Sequence, residues 1–231
     1  AEKVAGKSSG GSVDLIWVNG ENFASLKRDG LLRADDWAFG LPSFAYTDSK
    51  TLPAILSDFA VPTDGQESPW GRAQLVFAYD SRYAETPPRS AAALAKWIGA
   101  NPGRFSYPQP PDFTGTSFLK QIALELAPDR SVFMMPAETA DKDATLGPLW
   151  QWLETVHPDL WRGGTSYPAN YTDMVQLLGD GELSFAMAFN PAEFSNGIAS
   201  GVLPKTVRSY IHRGGTLANV HFVAIPFNAS A

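Results

Sequence analysis

Cysteine is absent from this chain of 231 residues, and histidine occurs at only three positions, His157, His212 and His221. The absence of cysteine excludes a disulfide framework, a cysteine-rich zinc site and a thiol nucleophile. The three histidines are scattered and do not stand at the spacing of a metal-ligand pair, which gives little support to a histidine-based metal site. We therefore expect no metal and no other cofactor.

Positive charge and long apolar runs are also scarce. Lys and Arg number 18 against 24 Asp and Glu, for a net charge of -6 at pH 7. Because nucleic acid and anionic membranes are bound by clustered Lys and Arg, we expect neither as a partner. No segment approaches the roughly 20 apolar residues of a membrane span, and residues 1–11 lack the apolar core of a secretory signal.

Catalytic motifs are missing as well. The chain contains no GxSxG elbow, no HExxH, no EF-hand loop, no Walker loop and no GxGxxG fingerprint. Paired carboxylates, such as Asp35 with Asp36, lie in polar stretches where solvation explains them. Without these motifs, the sequence gives no evidence for an enzyme.

What the chain does contain is a globular composition and an alternation of predicted strands and helices. Apolar residues make up 44% of the chain and aromatic residues 12%, as in compact globular proteins. Three apolar runs without clean alternation, residues 13–18, 74–79 and 183–189, are typical of strands covered on both faces in a parallel sheet. Helices are predicted over 21–32, over 91–98 capped by Ser90, over 118–126 capped by Thr116 or Ser117, over 146–156, and over 173–178 capped by Thr172. This alternation favours the α/β class.

The first candidate binding segment is the loop WVNGENF, residues 17–23. It follows the first predicted strand, at the strand end where open α/β sheets place ligand crevices. Asn19, Glu21 and Asn22 supply donors, acceptors and a negative charge beside the flat face of Trp17. A polar turn between strand and helix, with Glu21 or Asn22 as the helix cap, explains the same residues equally well.

The second candidate segment is PPDFTGTSF, residues 110–118, where small hydroxyl residues and a glycine lead into a helix. Such an entrance offers backbone N–H groups to an anionic or carbonyl group of a ligand, helped by the helix dipole. A helix cap without a ligand is the alternative. The candidate residues are Asp112, Thr114, Gly115, Thr116 and Ser117.

The third candidate segment is FNPAEF, residues 189–194, where a buried strand again runs into a polar turn. Asn190 and Glu193 are its candidate ligand contacts, and a helix cap at Asn190 before Pro191 is the alternative. Trp70, which precedes the second strand, is the other aromatic candidate beside Trp17, because aromatic faces bind planar, cationic or sugar ligands.

Five segments together carry a resemblance to a known family: DLIWVNGENFASLKRDGLL, WGRAQLVFAYD, PPRSAAALAKWIGANPGRFSYPQPPDFTGTSFL, GELSFAMAFNPAEF and NVHFVAIPFNASA. They resemble the bacterial ABC-transporter solute-binding proteins of the type II periplasmic fold, and among these a YnjB-like group related to thiamine, polyamine and iron binders. The resemblance spans essentially the whole chain.

The resemblance implies an α/β protein of two lobes joined by crossover strands, with the ligand in the cleft between the lobes. Pro87-Pro88, which follows the strand ending at Asp80, is typical of a connection and predicts a lobe boundary near 80–88. Residues 1–80 would then be a partial lobe I with the first crossover strand, 81–218 lobe II, and 219–231 a strand returning to lobe I. Because family members are longer, the resemblance also implies that the chain is truncated at both ends and that lobe I is incomplete. The cleft contacts would be Trp17, Asn19, Glu21 and Asn22 from lobe I, residues 112 and 114–117 from lobe II, and Asn190 and Glu193 near the hinge.

The resemblance further implies a monomeric periplasmic protein, exported by a signal peptide that this chain does not contain. It would pass a small polar or cationic molecule to an ABC permease in the inner membrane and catalyse nothing. Two other hypotheses stay open: an α/β enzyme acting on a small molecule or glycan with Glu21 and Asp112 as acid and base, and a carbohydrate-binding module with exposed Trp. The acidic residues favour a cationic ligand, whereas the helix entrance at 114–117 favours phosphate or carboxylate.

Overall fold

The structure is a computed structural model that describes Lys3 and residues 6–135 and 140–230. In chain order the strands are β1 (Ile16–Val18), β2 (Ser57–Asp58), β3 (Val61–Pro62), β4 (Glu67–Gln74), β5 (Val76–Asp80), β6 (Phe185–Ala188), β7 (Val207–Tyr210) and β8 (Ala218–Ala224). The α-helices are α1 (Glu21–Arg28), α2 (Ala91–Ala100), α3 (Phe113–Leu126), α4 (Lys142–Val156), α5 (Tyr171–Gly179) and α6 (Glu193–Ala199). Short 3-10 helices span Pro42–Tyr46, Pro53–Leu56, Arg130–Met134, His157–Asp159 and Trp161–Gly164. Within the described residues, no helix has the length and apolar character needed to cross a bilayer.

These elements form two compact units. The first unit comprises Ala1–Ala73 and Asn219–Ala231, and the second comprises Gln74–Ala218. The chain therefore passes from one unit to the other twice. The first passage comes earlier than the predicted boundary at residues 80–88, because β5 pairs with β6 and β7 and so is part of the sheet of the second unit.

In the first unit, β1, β8 and β4 form a three-stranded sheet in that order, and β2 and β3 form a separate hairpin. β1 runs antiparallel to β8, with Trp17 opposite Val223. Phe23 of α1 is fully buried and packs in a small core with Val18 of β1 and Ala224 of β8. This core fixes α1 directly after β1, and with it the short loop that joins them.

In the second unit, β5 lies between β6 and β7 and is antiparallel to both. All four residues of β6 are buried, and Phe77, Phe118 and Phe185 belong to one large core that also contains side chains from the helices. The prediction of a parallel sheet is therefore wrong for the runs 74–79 and 183–189. It is also wrong for the run 13–18, because β1 is antiparallel to β8 and the exposed Trp17 shows that β1 is not covered on both faces. Even where an apolar run marks a strand covered on both faces, it carries no information on the direction of the partner strand.

The helix starts confirm one predicted cap and correct two others. The Ser90 hydroxyl accepts the N–H of Ala93 at 3.2 Å and caps α2, as predicted. α3 begins at Phe113 because the Asp112 carboxylate caps it, so neither Thr116 nor Ser117 is the cap. Likewise Asn170, and not Thr172, caps α5. In both corrected helices an Asp or Asn upstream captures the first N–H groups, which places the hydroxyl residues inside the helix.

Gly115 lies in the first turn of α3, where there is no room for a side chain. A Cβ atom at this position would lie 1.9 Å from the carbonyl oxygen of Pro108. The start of α3 and the preceding segment therefore approach each other at backbone distance, which a residue without a Cβ permits.

We expect Gly115→Ala to lower the free energy of unfolding by about 1–3 kcal/mol, because the added methyl group forces the two backbones apart. Gly147 in α4 is the matched control, since nothing lies within 4 Å of its Cβ position. Gly147→Ala should raise stability by about 0.5–1 kcal/mol through helix propensity. Urea unfolding followed by circular dichroism measures both, and equal effects would contradict the close approach at Gly115.

Candidate functional site

Two of the candidate residues, Trp17 and Trp70, lie together on the sheet of the first unit. Trp17 is on β1, Trp70 is on β4, and His221 is on β8, the strand between them. The centre of the Trp17 ring is 5.1 Å from that of Trp70 and 5.3 Å from that of His221, edge to face in both cases, and the His221 ring stacks on Trp70 at 5.7 Å. Trp17 and Trp70 are 64% and 56% exposed, so this aromatic group of Trp17, Trp70 and His221 presents ring surface to solvent.

Asn19 fixes the orientation of the aromatic group. Its Nδ2 donates to the carbonyl oxygen of Val220 at 2.7 Å, and its Oδ1 accepts from the indole Nε1 of Trp17 at 2.9 Å. The side chain of Asn19 thereby joins the loop after β1 to β8. An amide that holds both a ring and a strand suits a preorganised binding surface.

His221 is a member of this group that sequence reasoning missed. Its position between the two tryptophans results from the pairing order of the strands, which no local pattern indicates. Burial lowers the pKa of His221, so the imidazole is neutral at neutral pH. Within the described residues its Nδ1 is buried without a hydrogen-bond partner.

Glu21 and Asn22 are both exposed and begin α1. The N-cap residue is Gly20, with a φ of 62°, and no side chain caps the helix. The interpretation of Glu21 or Asn22 as the helix cap is therefore wrong. Glycine adopts this left-handed φ at little cost, and it lets the two polar side chains stand at the surface, directly after the loop that carries Asn19.

Two buried carboxyl groups lie next to this loop, and no sequence pattern marks them. Asp58 is 1% exposed, and its Oδ2 accepts the N–H of Gly20 at 2.5 Å. Burial raises the pKa of Asp58 to about 6, although the hydrogen bond from Gly20 opposes the rise.

Glu67, at the start of β4, is the second of these groups and is also 1% exposed. Neither of its carboxyl oxygens has a hydrogen-bond partner among the residues that the structure describes. Burial, together with the charge of Asp58, raises the pKa of Glu67 to about 9. At neutral pH the pair therefore carries one negative charge, which resides on Asp58.

In the second unit, the candidate residues 112–117 form the cap and first turns of α3. The Asp112 carboxylate accepts the N–H of Gly115 at 2.9 Å, and its backbone oxygen accepts the N–H of Thr116 at 2.9 Å. Thr114, Gly115 and Ser117 are buried. Two of the N–H groups expected to bind an anion are thus already hydrogen-bonded, and a carboxylate occupies this helix start.

Asn190 and Glu193 lie where β6 leads into α6. The Oδ1 of Asn190 accepts the N–H of Ala192 at 3.0 Å, and its Nδ2 lies 3.5 Å from Oε2 of Glu193. Since Ala192 is the N-cap residue, Asn190 closes the preceding turn and is not the helix cap itself. The rings of Phe113 and Phe189 are 4.8 Å apart, so this turn and the start of α3 are neighbours.

The second unit also contains a pocket of about 280 Å³ whose lining includes Gln121, Glu125, Arg130 and residues 214–218. None of the candidate residues lines it. The carboxylate of Glu125 already accepts hydrogen bonds from Gln121 and from the N–H of Ala91. Over the described part of the chain, no group of three or more His or acidic side chains could hold a metal ion.

Replacement of Glu67 by glutamine should make stability less dependent on pH. A folded pKa of about 9, against an ordinary value of 4.5, means that the contribution of Glu67 to stability is fully present below about pH 4.5 and is lost as pH rises to about 9. The wild type should lose up to about 1.4 kcal/mol per pH unit within this window through Glu67. Glu67→Gln should remove this loss, so its advantage in urea unfolding should grow with pH.

The matched control for this measurement is Glu154→Gln, which removes the same charge from the exposed face of α4. The control should leave the pH profile of the wild type unchanged. A Glu67→Gln profile parallel to that of the wild type would show that Glu67 ionises normally in the folded chain.

The chain is similar to known proteins over its whole length. The sequence profile described as bacterial extracellular solute-binding protein matches residues 1–231. Protein YnjB of Escherichia coli (strain K12) is 46% identical over 230 residues, which cover 100% of this chain and 58% of the relative. The chain thus spans less than two thirds of the length of this relative.

Solved structures share the fold at low sequence identity. The spermidine/putrescine ABC-transporter substrate-binding protein PotD of Streptococcus pneumoniae has a TM-score of 0.66 at 12% identity, covering 97% of this chain and 60% of that one. Iron-bound HitA of Pseudomonas aeruginosa has a TM-score of 0.56 at 16% identity, covering 99% and 63%. At these identities the likeness shows the fold alone. The predicted fold class, α/β of the type II periplasmic binding kind, is confirmed.

Proposed function

Because this chain belongs to the family of bacterial extracellular solute-binding proteins, we propose that it is the solute-binding component of an ABC importer. It binds a small polar or cationic molecule in the periplasm, as a monomer, and delivers it to the permease. The observation that carries this proposal is the match of the family over residues 1–231.

The aromatic group of the first unit is the surface that we propose as the main ligand contact. Trp17 and Trp70 expose more than half of their surface while their rings are held by mutual contact. Rings held in this way lose little conformational entropy when a ligand stacks on them. Asn19, Glu21 and Asn22 supply polar contacts in the same unit, and we propose Glu21 as the residue that attracts a positive charge.

The proposed contacts of the second unit indicate the sign of the ligand's charge. They are Asp112, residues 114–117, Asn190 and Glu193. The helix start that was expected to favour phosphate or carboxylate already holds the carboxylate of Asp112. An anionic ligand would meet repulsion there, whereas a cation would not. With a net charge of -6 for the chain, these observations favour a cationic ligand over an anionic one.

The relatives support this choice only in part. The Streptococcus pneumoniae protein is named for spermidine and putrescine, which are cationic amines, but HitA is described as iron-bound. Proteins of one fold thus bind different ligands, so the ligand of this chain has to be found from its own residues.

We also propose that the chain catalyses no reaction. Members of the family are solute-binding proteins. The enzyme hypothesis assigned the roles of acid and base to Glu21 and Asp112. Asp112 instead accepts the N–H of Gly115 and caps α3, which is a structural use of that carboxylate.

A thermal-shift screen tests the binding function. The purified chain is heated with thiamine and its phosphates, polyamines, amino acids, sugars or metal ions, and a binder raises the melting temperature by mass action. We expect a cationic compound to stabilise the chain. Trp17→Ala should then weaken binding by roughly tenfold, the equivalent of about 1–2 kcal/mol for a lost cation–aromatic contact.

Trp150→Ala is the matched control, because Trp150 is 51% exposed on α4 and is not a proposed contact. This variant should keep the affinity of the wild type. Full-length YnjB is screened in parallel, since it extends beyond the matched region. A ligand that stabilises YnjB but not this chain would contradict binding of that ligand by this chain. An equal loss in Trp17→Ala and Trp150→Ala would contradict the aromatic group as the contact.

A further inference from the structure

We propose that Asp58 is a positioning residue for the loop that carries Asn19 and Glu21. Its carboxylate holds the backbone of Gly20, which lies between these two residues, and uptake of a proton by Asp58 loosens that hold. The inference rests on the proposed function only in that it takes this loop to be a ligand contact.

The geometry around Gly20 shows why a single hydrogen bond can control this loop. Gly20 has a φ of 62°, and its N–H donates to Oδ2 of Asp58 at 2.5 Å in a buried position. A Cβ atom on Gly20 would lie 3.2 Å from the ring of Phe59, so the loop is held between the carboxylate and this ring. The side chain of Asn19 then reaches Trp17 on one side and Val220 on the other.

The turn that supplies Asp58 is itself strained. Phe59 and Ala60 join β2 to β3, and both have positive φ values, 45° and 67°. Two-residue turns of this kind usually contain Asn and Gly, because other residues in the left-handed region cost about 1–2 kcal/mol each. The strained turn places Phe59 against Gly20 and the Asp58 carboxylate at its N–H. Strain of this sort is retained where the surrounding structure requires the geometry.

The charged groups around Asp58 leave its charge without a cationic partner. Glu67 of β4 is neutral at neutral pH, as described above. Lys27 of α1 donates to Asp64 at 2.6 Å, and within the described residues no ion pair joins Lys27 to Asp58. Glu21, at the start of α1, is exposed to solvent. The N–H of Gly20 is therefore the group that stabilises the charge of Asp58.

Protonation of Asp58 changes the strength of this one contact. A hydrogen bond to an ionised acceptor is roughly twice as strong as one between neutral groups. The pKa of Asp58 is raised to about 6 by burial, which means that its charge persists at neutral pH at some cost to stability and is lost in mild acid. The loop should therefore be held firmly above about pH 6 and loosely below it.

Nuclear magnetic resonance can follow the contact directly, without a ligand. Of all the glycines, only Gly20 and Gly197 follow an asparagine. A chain labelled with carbonyl-¹³C asparagine and ¹⁵N glycine therefore gives two selected amide signals. We expect the Gly20 amide proton to move upfield as pH falls, with a midpoint at about pH 6. Gly197, in α6 of the second unit, is the internal control and should show no such midpoint.

Two variants show which residue causes the pH dependence of the Gly20 signal. Asp58→Asn keeps an oxygen acceptor but cannot ionise, so the Gly20 signal should become independent of pH. Glu67→Gln should leave the midpoint of Gly20 unchanged, because Glu67 is neutral in that range. A Gly20 signal that does not move in the wild type, or that moves equally in Asp58→Asn, would overturn the proposal. If Asp58→Asn does not fold, the wild-type and Glu67→Gln titrations decide the question.

The NMR signal of the indole N–H of Trp17 distinguishes a positioning role of Asp58 from a hydrogen bond that affects Gly20 alone. It donates to Asn19, and its signal is assigned by its loss in Trp17→Phe. If Asp58 positions the loop, this signal should follow the same midpoint as Gly20, and Asp58→Asn should abolish that midpoint. A Trp17 titration that persists in Asp58→Asn would belong to His221, whose ring lies 5.3 Å from that of Trp17, and would count against the proposal. A Trp17 signal that stays constant while Gly20 titrates would refute a positioning role. The ligand screen is independent of this result: silence there counts against the proposed function, whereas a flat Gly20 titration counts against this inference alone.

Discussion

The carboxylate of Glu125 connects parts of the second unit that lie far apart in the sequence. Its Oε1 lies 2.5 Å from Nδ1 of His212 and accepts from Gln121 at 2.7 Å, while its Oε2 accepts the N–H of Ala91. Burial alone would raise the pKa of Glu125, but hydrogen bonds from His212 and Gln121 lower it. The ring of His212 stacks on Phe77 of β5 at 4.5 Å. This network ties α2, the C-terminal half of α3 and the segment after β7 to the sheet, in the helix whose start carries the candidate residues 112–117.

The pKa values of the two buried carboxyl groups of the first unit, Asp58 and Glu67, are raised, whereas that of Glu125 is lowered. The number of hydrogen-bond donors around each group explains the difference. Glu125 has three donors around it, Asp58 has the N–H of Gly20, and Glu67 has none among the described residues. Burial therefore prevails at Asp58 and Glu67 and raises both pKa values. The carboxylate of Glu125 is thus charged at neutral pH. The charge of Asp58 responds to mild acid, beside a loop that carries proposed ligand contacts.

Prediction from sequence succeeds where one residue offers the local interaction, and it fails where several residues compete for it or where distant parts of the chain decide. The Ser90 cap depends on a hydrogen bond to a residue three positions away, and it is confirmed. The choice of Thr116 or Ser117 as the cap of α3 is wrong because several residues of this segment can cap a helix, and the carboxylate of Asp112 accepts the N–H of Gly115. The parallel sheet is wrong because strand direction is set by partners distant in the chain.

By itself, the sequence determined the α/β class and, among the described elements, the approximate positions of α1 to α5 and of the strands β1, β5 and β6. These features depend on composition and on neighbours within a turn or a strand. Only the tertiary structure decided that His221 lies between Trp17 and Trp70, and that Asp58 lies at Gly20. The hydrogen bond from Asn19 to Val220 joins residues 201 positions apart, and that from Gly20 to Asp58 joins residues 38 positions apart. Contacts of this range arise from strand pairing and burial, which act on the folded chain as a whole.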